Sequence, residues 1–510
     1  MGSTAPTPEA GLAASDPPPR RRGPRPSDVL AAAYGAAMGA LLSVVAGRAL
    51  PDDAMITLSY ARNLAERGEW ALTPGVAANT ATSPLNVWLE AGLVVVTGRP
   101  ELSVGILLAL TVGLLALCLH RQHGAPVCGA GVLLLVANPF LASATGLEVY
   151  LTALAIVALV WAASAGHFLV LGIVGGLAVL TRPDLAIVVL AVVVLAAARH
   201  RRVGGALLAL ALAGIVAAPW HVWSWLRFGS AVPDTLAVKA DAGDSWGGYT
   251  YGNGIGHYLG YWPEPTRLVV AGLAVGLVAW LACLVQLVRH RHLGPRGWSG
   301  LAFGVAGGAH YAAMSALGGA PFFWYYTPAV VGAALATVVV ADAALRPVRP
   351  LRSHTPVRIA AGALAGLAVV GIAGATLVQD AERGVPWSGF APVRVNWATP
   401  AQYEAIAAAL PPGSTVESPG EIGYLAFHCR CRVVDYFSDP GRMAPAIDRF
   451  RADHDGPIWR LNYLHRRPQA PVPAAYRLVY EAAPPDGPGQ WPVTFPGDRV
   501  KRMRLEALAP

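Results

Sequence analysis

Eleven strongly apolar runs, most of them close to membrane-spanning length, follow one another along this chain with short loops between them. A helix needs roughly 20 apolar residues to cross a bilayer. Without water, the backbone groups of such a run can only satisfy one another. The runs lie near 29–50, 102–119, 125–142, 147–165, 167–182, 184–198, 203–220, 266–288, 298–317, 326–345 and 357–377. Of the 510 residues 55% are hydrophobic and 13% charged, whereas a soluble domain carries about 25% charged residues. The chain is expected to be an α-helical polytopic membrane protein, with the bilayer as its first partner.

The arginines set the direction. The net charge of +8 is almost all arginine, because Lys239 and Lys501 are the only lysines. A basic balance could point to nucleic acid, but these arginines sit in short loops between apolar runs, and no nucleic-acid partner is expected. Arg20, Arg21, Arg22 and Arg25 precede the first run and place the N-terminus in the cytoplasm. A further apolar stretch, 84–97, is short. Counting it as a span would send Arg121 outside and throw the later loops out of phase. Leaving it at the outer interface puts Arg121, "RHRR" (199–202), "RHRHLGPR" (289–296) and "RPVRPLRSHTPVR" (346–358) all inside. The expected organisation is a disordered cytoplasmic tail over 1–27, a transmembrane domain over 28–378 and an extracytoplasmic domain over 379–510. In the last, "STVESPG", "EIGYLAF" and "CRVVDYF" read as strands of a small α/β or α+β fold. Of the five cysteines, two form "HCRC". Side chains two apart on a strand point to opposite faces, so no strong Cys429–Cys431 bridge is expected.

This topology brings polar loops together on the outer face: 51–101, 143–148, 183–184 and 221–265. In "RALPDDAMITLSYARNL" two carboxylates, Asp52 and Asp53, leave the first span side by side. One of them could cap the helix that follows, but a cap does not explain the second. Burial of adjacent like charges raises one pKa toward that of a general base. The helix itself, with Ile56, Tyr60 and Leu64 on one side, suits the interface. Arg182 breaks the rule that outer loops avoid arginine. It either pairs with Asp184 or holds a lipid phosphate, and the second reading is preferred. Glu148 ends a span in "TGLEVYL", Lys239 stands in the outer loop 221–265, and "FFWYY" (322–326) is either an aromatic belt or a stacking platform. No Walker loop, zinc spacing, HExxH or G-x-S-x-G is present. Span centres are nearly free of charge, which counts against an ion-coupled transporter or flippase.

These segments resemble a known family. The Asp-Asp-Ala after the first span, "SYARNLAERGEWALTPG", "ATSPLNVWL", "TGLEVYL", "LTRPD", "RFGSAVPDTLAVK", "WYYTP" and "GEIGYLAFHCRCRVVDYFSDPG" follow, in order, the pattern of GT-C membrane glycosyltransferases, most like the actinobacterial terminal arabinofuranosyltransferase group. The resemblance implies a GT-C fold, a polyprenyl-phosphate-linked sugar donor presented outside, a cell-envelope glycan acceptor, and inverting transfer with a first-loop Asp as base. Asp52 and Asp53 match the acidic pair, with Arg182 and Lys239 on the donor phosphate. Arg62, Ser83, Glu148, Asp184, Asp234, Tyr325 and Tyr326 complete the candidate set as substrate-binding side chains. A divalent cation is the one cofactor left open. Met55 replaces a usual aromatic, Asp234 replaces the Asn of a "PNT" pattern, and the loop before Ser83 lacks a Gly-Tyr. The alternatives are transfer of mannose or another sugar to protein or lipid, a lipid-carrier transporter, and a non-catalytic assembly protein.

Overall fold

The computed structural model describes residues 25–241, 246–346, 355–418, 420–429, 431–467, 469–482, 485, 487, 489–495 and 499–508. The expected tail, apart from residues 25–27, and most of the loop at 346–358 lie outside these.

Each of the eleven apolar runs forms a helix. The first is α1 (Pro26–Ala46); it is followed by α2 (Asp52–Arg67) and α3 (Pro84–Thr97), both belonging to the first long loop. Next come α4 (Pro100–His123), α5 (Ala125–Val136), the short α6 (Pro139–Ser143), α7 (Val149–Ala165), α8 (Phe168–Thr181), α9 (Leu185–His200) and α10 (Val203–Phe228). Two short loop helices, α11 (Thr235–Asp241) and α12 (Ile255–Tyr261), lead to α13 (Pro263–His290), α14 (Pro295–Ala316), α15 (Thr327–Leu345) and α16 (Thr355–Arg383). Among the described residues six helices are long and apolar enough to cross a bilayer, and α3, α5, α7, α8 and α9 are shorter apolar helices.

Close helix packing rests on small residues, as expected where lipid removes the hydrophobic drive between helices. On α1, a Cβ at Gly39 would stand 2.9 Å from the Ala109 backbone of α4. On α8, one at Gly172 would stand 2.7 Å from the Ala209 carbonyl of α10. Neither pair could close with a larger side chain.

The chain after α16 is a mixed α/β unit. Helices α17 (Pro400–Ala409), α18 (Gly423–His428), α19 (Pro440–Asp453) and α20 (Pro457–Asn462) accompany strands β1 (Thr415–Glu417), β2 (Arg432–Val434), β3 (Tyr476–Glu481), β4 (Gln490–Phe495) and β5 (Arg499–Ala507). The sheet runs β2-β1-β3-β5-β4, parallel among β2, β1 and β3 and antiparallel beyond. Two strands read from sequence are there as β1 and β2. The third, "EIGYLAF", is helical instead, because its first N–H groups are capped by a side chain from another part of the chain, described below. Cys429 and Cys431 are bridged, against expectation. Cys429 lies in the turn after α18 and Cys431 before β2, so the alternation of a strand does not hold their side chains apart.

Helix α2 departs from expectation too. Instead of lying exposed at an interface it is buried on most sides, with Leu58, Tyr60 and Ala61 fully enclosed, packed between α3 and α18. What puts it there is its first residue.

Candidate functional site

Asp52 and Asp53 open α2 and part company at once, since successive helical residues point about 100° apart. The Asp52 carboxylate turns into the α/β unit. Its Oδ2 accepts the backbone N–H groups of Ile422 and Gly423 at 2.8 and 2.9 Å, and its Oδ1 that of Tyr424 at 2.9 Å. Three donors at the start of α18 are thereby capped by a side chain some 370 residues upstream. The Asp52 N–H donates to Asn396 Oδ1, and the Tyr424 hydroxyl donates to the Arg48 and Leu50 carbonyls. Position 423 needs glycine here, because a Cβ would collide with the Asp52 carbonyl and stand 2.7 Å from the Ile56 nitrogen. Burial lifts the Asp52 carboxyl to about 6 against the pull of these N–H groups. Beside it Glu421, buried and lifted to about 8, accepts from the Trp397 and Ala398 N–H groups and the Tyr403 hydroxyl.

Asp53 points the other way. Among the described residues no group donates a hydrogen bond to its carboxylate. Burial raises its pKa above the ordinary value, and the Lys239 ammonium opposes that rise. Lys239, on α11, donates to the Tyr325 hydroxyl at 3.0 Å and stands 4.6 Å from the centre of the Phe322 ring. Burial alone would depress its pKa, but Tyr325 and Asp53 more than reverse this and leave it raised. With a single hydrogen bond among the described residues, its ammonium keeps donors to spare.

Arg182 lies beneath. It leaves the end of α8, and its guanidinium forks onto Asp184, Nε to Oδ1 at 3.0 Å and Nη2 to Oδ2 at 2.7 Å. Nη1 reaches Glu148 Oε1 at 3.5 Å and the Trp324 carbonyl at 3.4 Å, and the Tyr325 ring covers the group at 4.5 Å. Four of its five N–H groups are engaged in this way, and the Asp184 pairing, one of the two readings open from sequence, is present. Asp184 also receives His310 Nε2 at 2.7 Å, and the Tyr251 hydroxyl donates to the Tyr325 carbonyl at 3.3 Å.

Asp53, Glu148, Arg182, Asp184, Lys239 and Tyr325 thus share one cluster at the end of the bundle that carries the α/β unit. The other candidates lie elsewhere. Arg62 donates to the Phe427 carbonyl and covers that ring, on the side of α2 facing α18. Ser83 precedes α3 with its hydroxyl buried and unpaired. The Tyr326 hydroxyl is spent on the Tyr251 carbonyl at 2.6 Å while the two rings stack. Asp234, pushed up to about 7 by burial, lines a separate cleft of about 710 Å³ with Asn79, Arg227 and Arg466. The aromatic run is neither a lipid-facing belt nor a free platform, since Phe323, Trp324 and Tyr326 are buried. His310 escaped the sequence reading. A histidine inside an apolar helix was the available signal, and "GGAHYAAM" carries it.

Solved structures of similar fold exist. ArnT from Cupriavidus metallidurans, bound to undecaprenyl phosphate, superposes with a TM-score of 0.51 at 14% identity, over 93% of this chain and 97% of that one. The chain shares the ArnT fold. This bears out the GT-C architecture expected from sequence. Archaeal oligosaccharyltransferase AglB from Archaeoglobus fulgidus, in complex with an inhibitory peptide and a dolichol-phosphate, matches at 0.49 and 14% over 88% of this chain and 69% of its own. Arabinosyltransferase EmbB from Mycobacterium smegmatis matches at 0.40 and 14% over 75% of this chain and 43% of its own. No family model and no curated protein matches the sequence.

Proposed function

We propose that the protein is a membrane glycosyltransferase that moves a sugar, arabinofuranose, from a polyprenyl-phosphate donor to a cell-envelope glycan, on the extracytoplasmic side, with its N-terminus in the cytoplasm. The observation that carries this reading is the placing of an unbonded carboxylate, Asp53, within electrostatic reach of an ammonium that has donors to spare, Lys239, at one end of a lipid-embedded bundle. ArnT, whose fold the chain shares, is bound to undecaprenyl phosphate.

In this reading the acceptor hydroxyl oxygen attacks the anomeric carbon while the bond from that carbon to the donor phosphate oxygen breaks. The hydroxyl proton passes to Asp53, whose burial makes it a stronger base than an exposed carboxylate. The electron pair stays with the leaving phosphate, which meets the Lys239 ammonium in a charge-assisted hydrogen bond. One displacement inverts the anomeric centre. Arg182 holds Tyr325, and through it Lys239, in place. Asp52 fixes the helix on which Asp53 stands. Among the described residues no three His, Cys, Asp or Glu side chains converge to hold an ion, and no step here is routed through a cation.

The test is transfer by the purified protein from synthetic polyprenyl-phosphate arabinofuranose to an arabinan oligosaccharide, read by mass spectrometry, for the wild type and Asp53→Asn. Product from the wild type alone supports the reading. Equal product from both sinks Asp53 as base, and product only with other polyprenyl-linked sugars moves the donor assignment.

A further inference from the structure

In the α/β unit, exposed large apolar side chains gather in one place. Ile458 is 76% exposed, Leu461 57% and Leu464 63%. Spaced by three, they form a row along α20 and the turn after it. Helix α19, just before, behaves as a helix in a water-soluble unit does: Met443, Ala446, Ile447 and Phe450 are buried against Ala237 and Val238 of α11.

The α20 row is not a loose segment. The Trp225 indole N–H donates to the Leu461 carbonyl at 2.8 Å, and its ring meets His465 at 4.5 Å. Asn462 Oδ1 accepts the Ala231 and Val232 N–H groups at 2.9 and 3.0 Å. A Cβ at Gly229 would stand 2.5 Å from the Arg466 Cα, so the two segments touch backbone to backbone. Every one of these ties runs to the end of α10 or the turn that follows it. α10 has the length and composition of a membrane span, and Trp223 and Leu226 stand exposed on its last turns. The row on α20 therefore continues an apolar surface that already belongs to the bilayer. Arg227 and Arg467, both exposed, flank it at the level where lipid headgroups sit.

We infer that α20 is a membrane-docking element: Ile458, Leu461 and Leu464 enter the headgroup–acyl boundary of the leaflet on the side of the α/β unit. The bilayer is the occupant because the surface is continuous with α10 and edged by arginine and tryptophan, the pattern of an interfacial helix. The unit is then tied to the membrane at two points, through α16 and through α20. The cleft lined by Asp234, Arg227 and Arg466 adjoins the row, with Leu464 in its wall.

The experiment uses the full chain in lipid nanodiscs, with the free cysteines Cys118, Cys128 and Cys283 replaced by alanine. Leu461→Cys and Leu464→Cys, each made singly, carry a bimane label; Ala482→Cys, exposed elsewhere on the unit, serves as reference. Thermal melting checks that each labelled protein is folded, and two independent exposed sites guard against a failed variant. Bimane emission at 461 and 464 is expected to be lost to nitroxide-bearing phospholipid and to survive aqueous iodide, with the reverse at 482. Loss to iodide at 461 and 464 as at 482 overturns the inference. Protection from both quenchers overturns it as well, since protein then covers the row; nanodiscs holding one copy or two tell a second copy from another partner.

Discussion

Two of the seams by which the α/β unit grips the membrane half are built on opposite principles. At one, α18 sits on α2 through polar contacts: the Asp52 carboxylate takes three backbone N–H groups, and glycine at 423 allows the approach. At the other, α19 sits on α11 through an apolar cluster, Met443, Ala446, Ile447 and Phe450 over Ala237 and Val238. Each seam lies directly behind one half of the candidate site. Asp53 follows Asp52 on the first turn of α2, and Lys239 follows Val238 on α11. The difference teaches how an accessory unit can hold a site it does not line. A directional carboxylate clamp fixes the rotation of α2 and so the aim of Asp53. Non-directional packing holds α11 in place and leaves the long Lys239 side chain to set its own reach.

The largest expected effect separates the two aspartates. Asp53→Asn is expected to lower turnover by about 10²–10⁴-fold, the usual loss for a general base, with melting temperature unchanged; transfer assays and thermal melts check it. Asp52→Ala is expected to act mainly on stability. It strands three buried N–H groups at about 1–3 kcal/mol each, so the protein loses stability, and the folded fraction slows by far less than Asp53→Asn does, as α2 loses the contact that aims Asp53. If Asp52→Ala stops turnover in a protein of normal stability, the clamp reading fails.

The apolar seam is next. Ile447→Ala is expected to cost about 2–5 kcal/mol of stability and to weaken binding of the polyprenyl-phosphate donor, since the base of Lys239 loosens; isothermal titration and melts read both. Loss of stability with donor affinity intact would mean that α11 keeps its place without α19.

The smallest expected effect is a pH limb. The base must be ionised, and burial raises Asp53, so the rate is expected to fall as pH drops through a value above the ordinary carboxylate range. It is fully present above that value and lost below it. A rate–pH profile that keeps this limb in a variant where Asp53 is intact but Asp52 is changed assigns it to Asp53.

Membrane helices were legible from sequence because their signal is local: a long apolar run has few other fates. The arginine loops likewise grouped Glu148, Arg182, Asp184 and Lys239 on one face before any packing was known. What stayed hidden was set by contacts distant in sequence. Nothing near "EIGYLAF" says that an aspartate some 370 residues away will cap it, so a short apolar stretch read as strand folds as helix. The adjacent aspartates looked equivalent because the sequence carries no record of which way α2 is turned. Arg182 showed its anomaly without its answer: besides Asp184, the acceptors that meet it are Glu148 and the Trp324 carbonyl, from the separate turns before α7 and α15.

The charge balance of this cluster has a thermodynamic consequence. The carboxylates of Asp53, Glu148 and Asp184 outnumber Arg182 and Lys239 by one, and His310, 2.7 Å from Asp184, is the further group that can offset the excess where, in the proposed function, an anionic lipid phosphate arrives. Arrival is then coupled to proton uptake by the cluster, and donor affinity is expected to weaken as pH rises. Occupancy and turnover would be drawn toward opposite ends of the pH scale. Titrations of donor in two buffers of different ionisation enthalpy count the proton, and a count of zero denies the coupling.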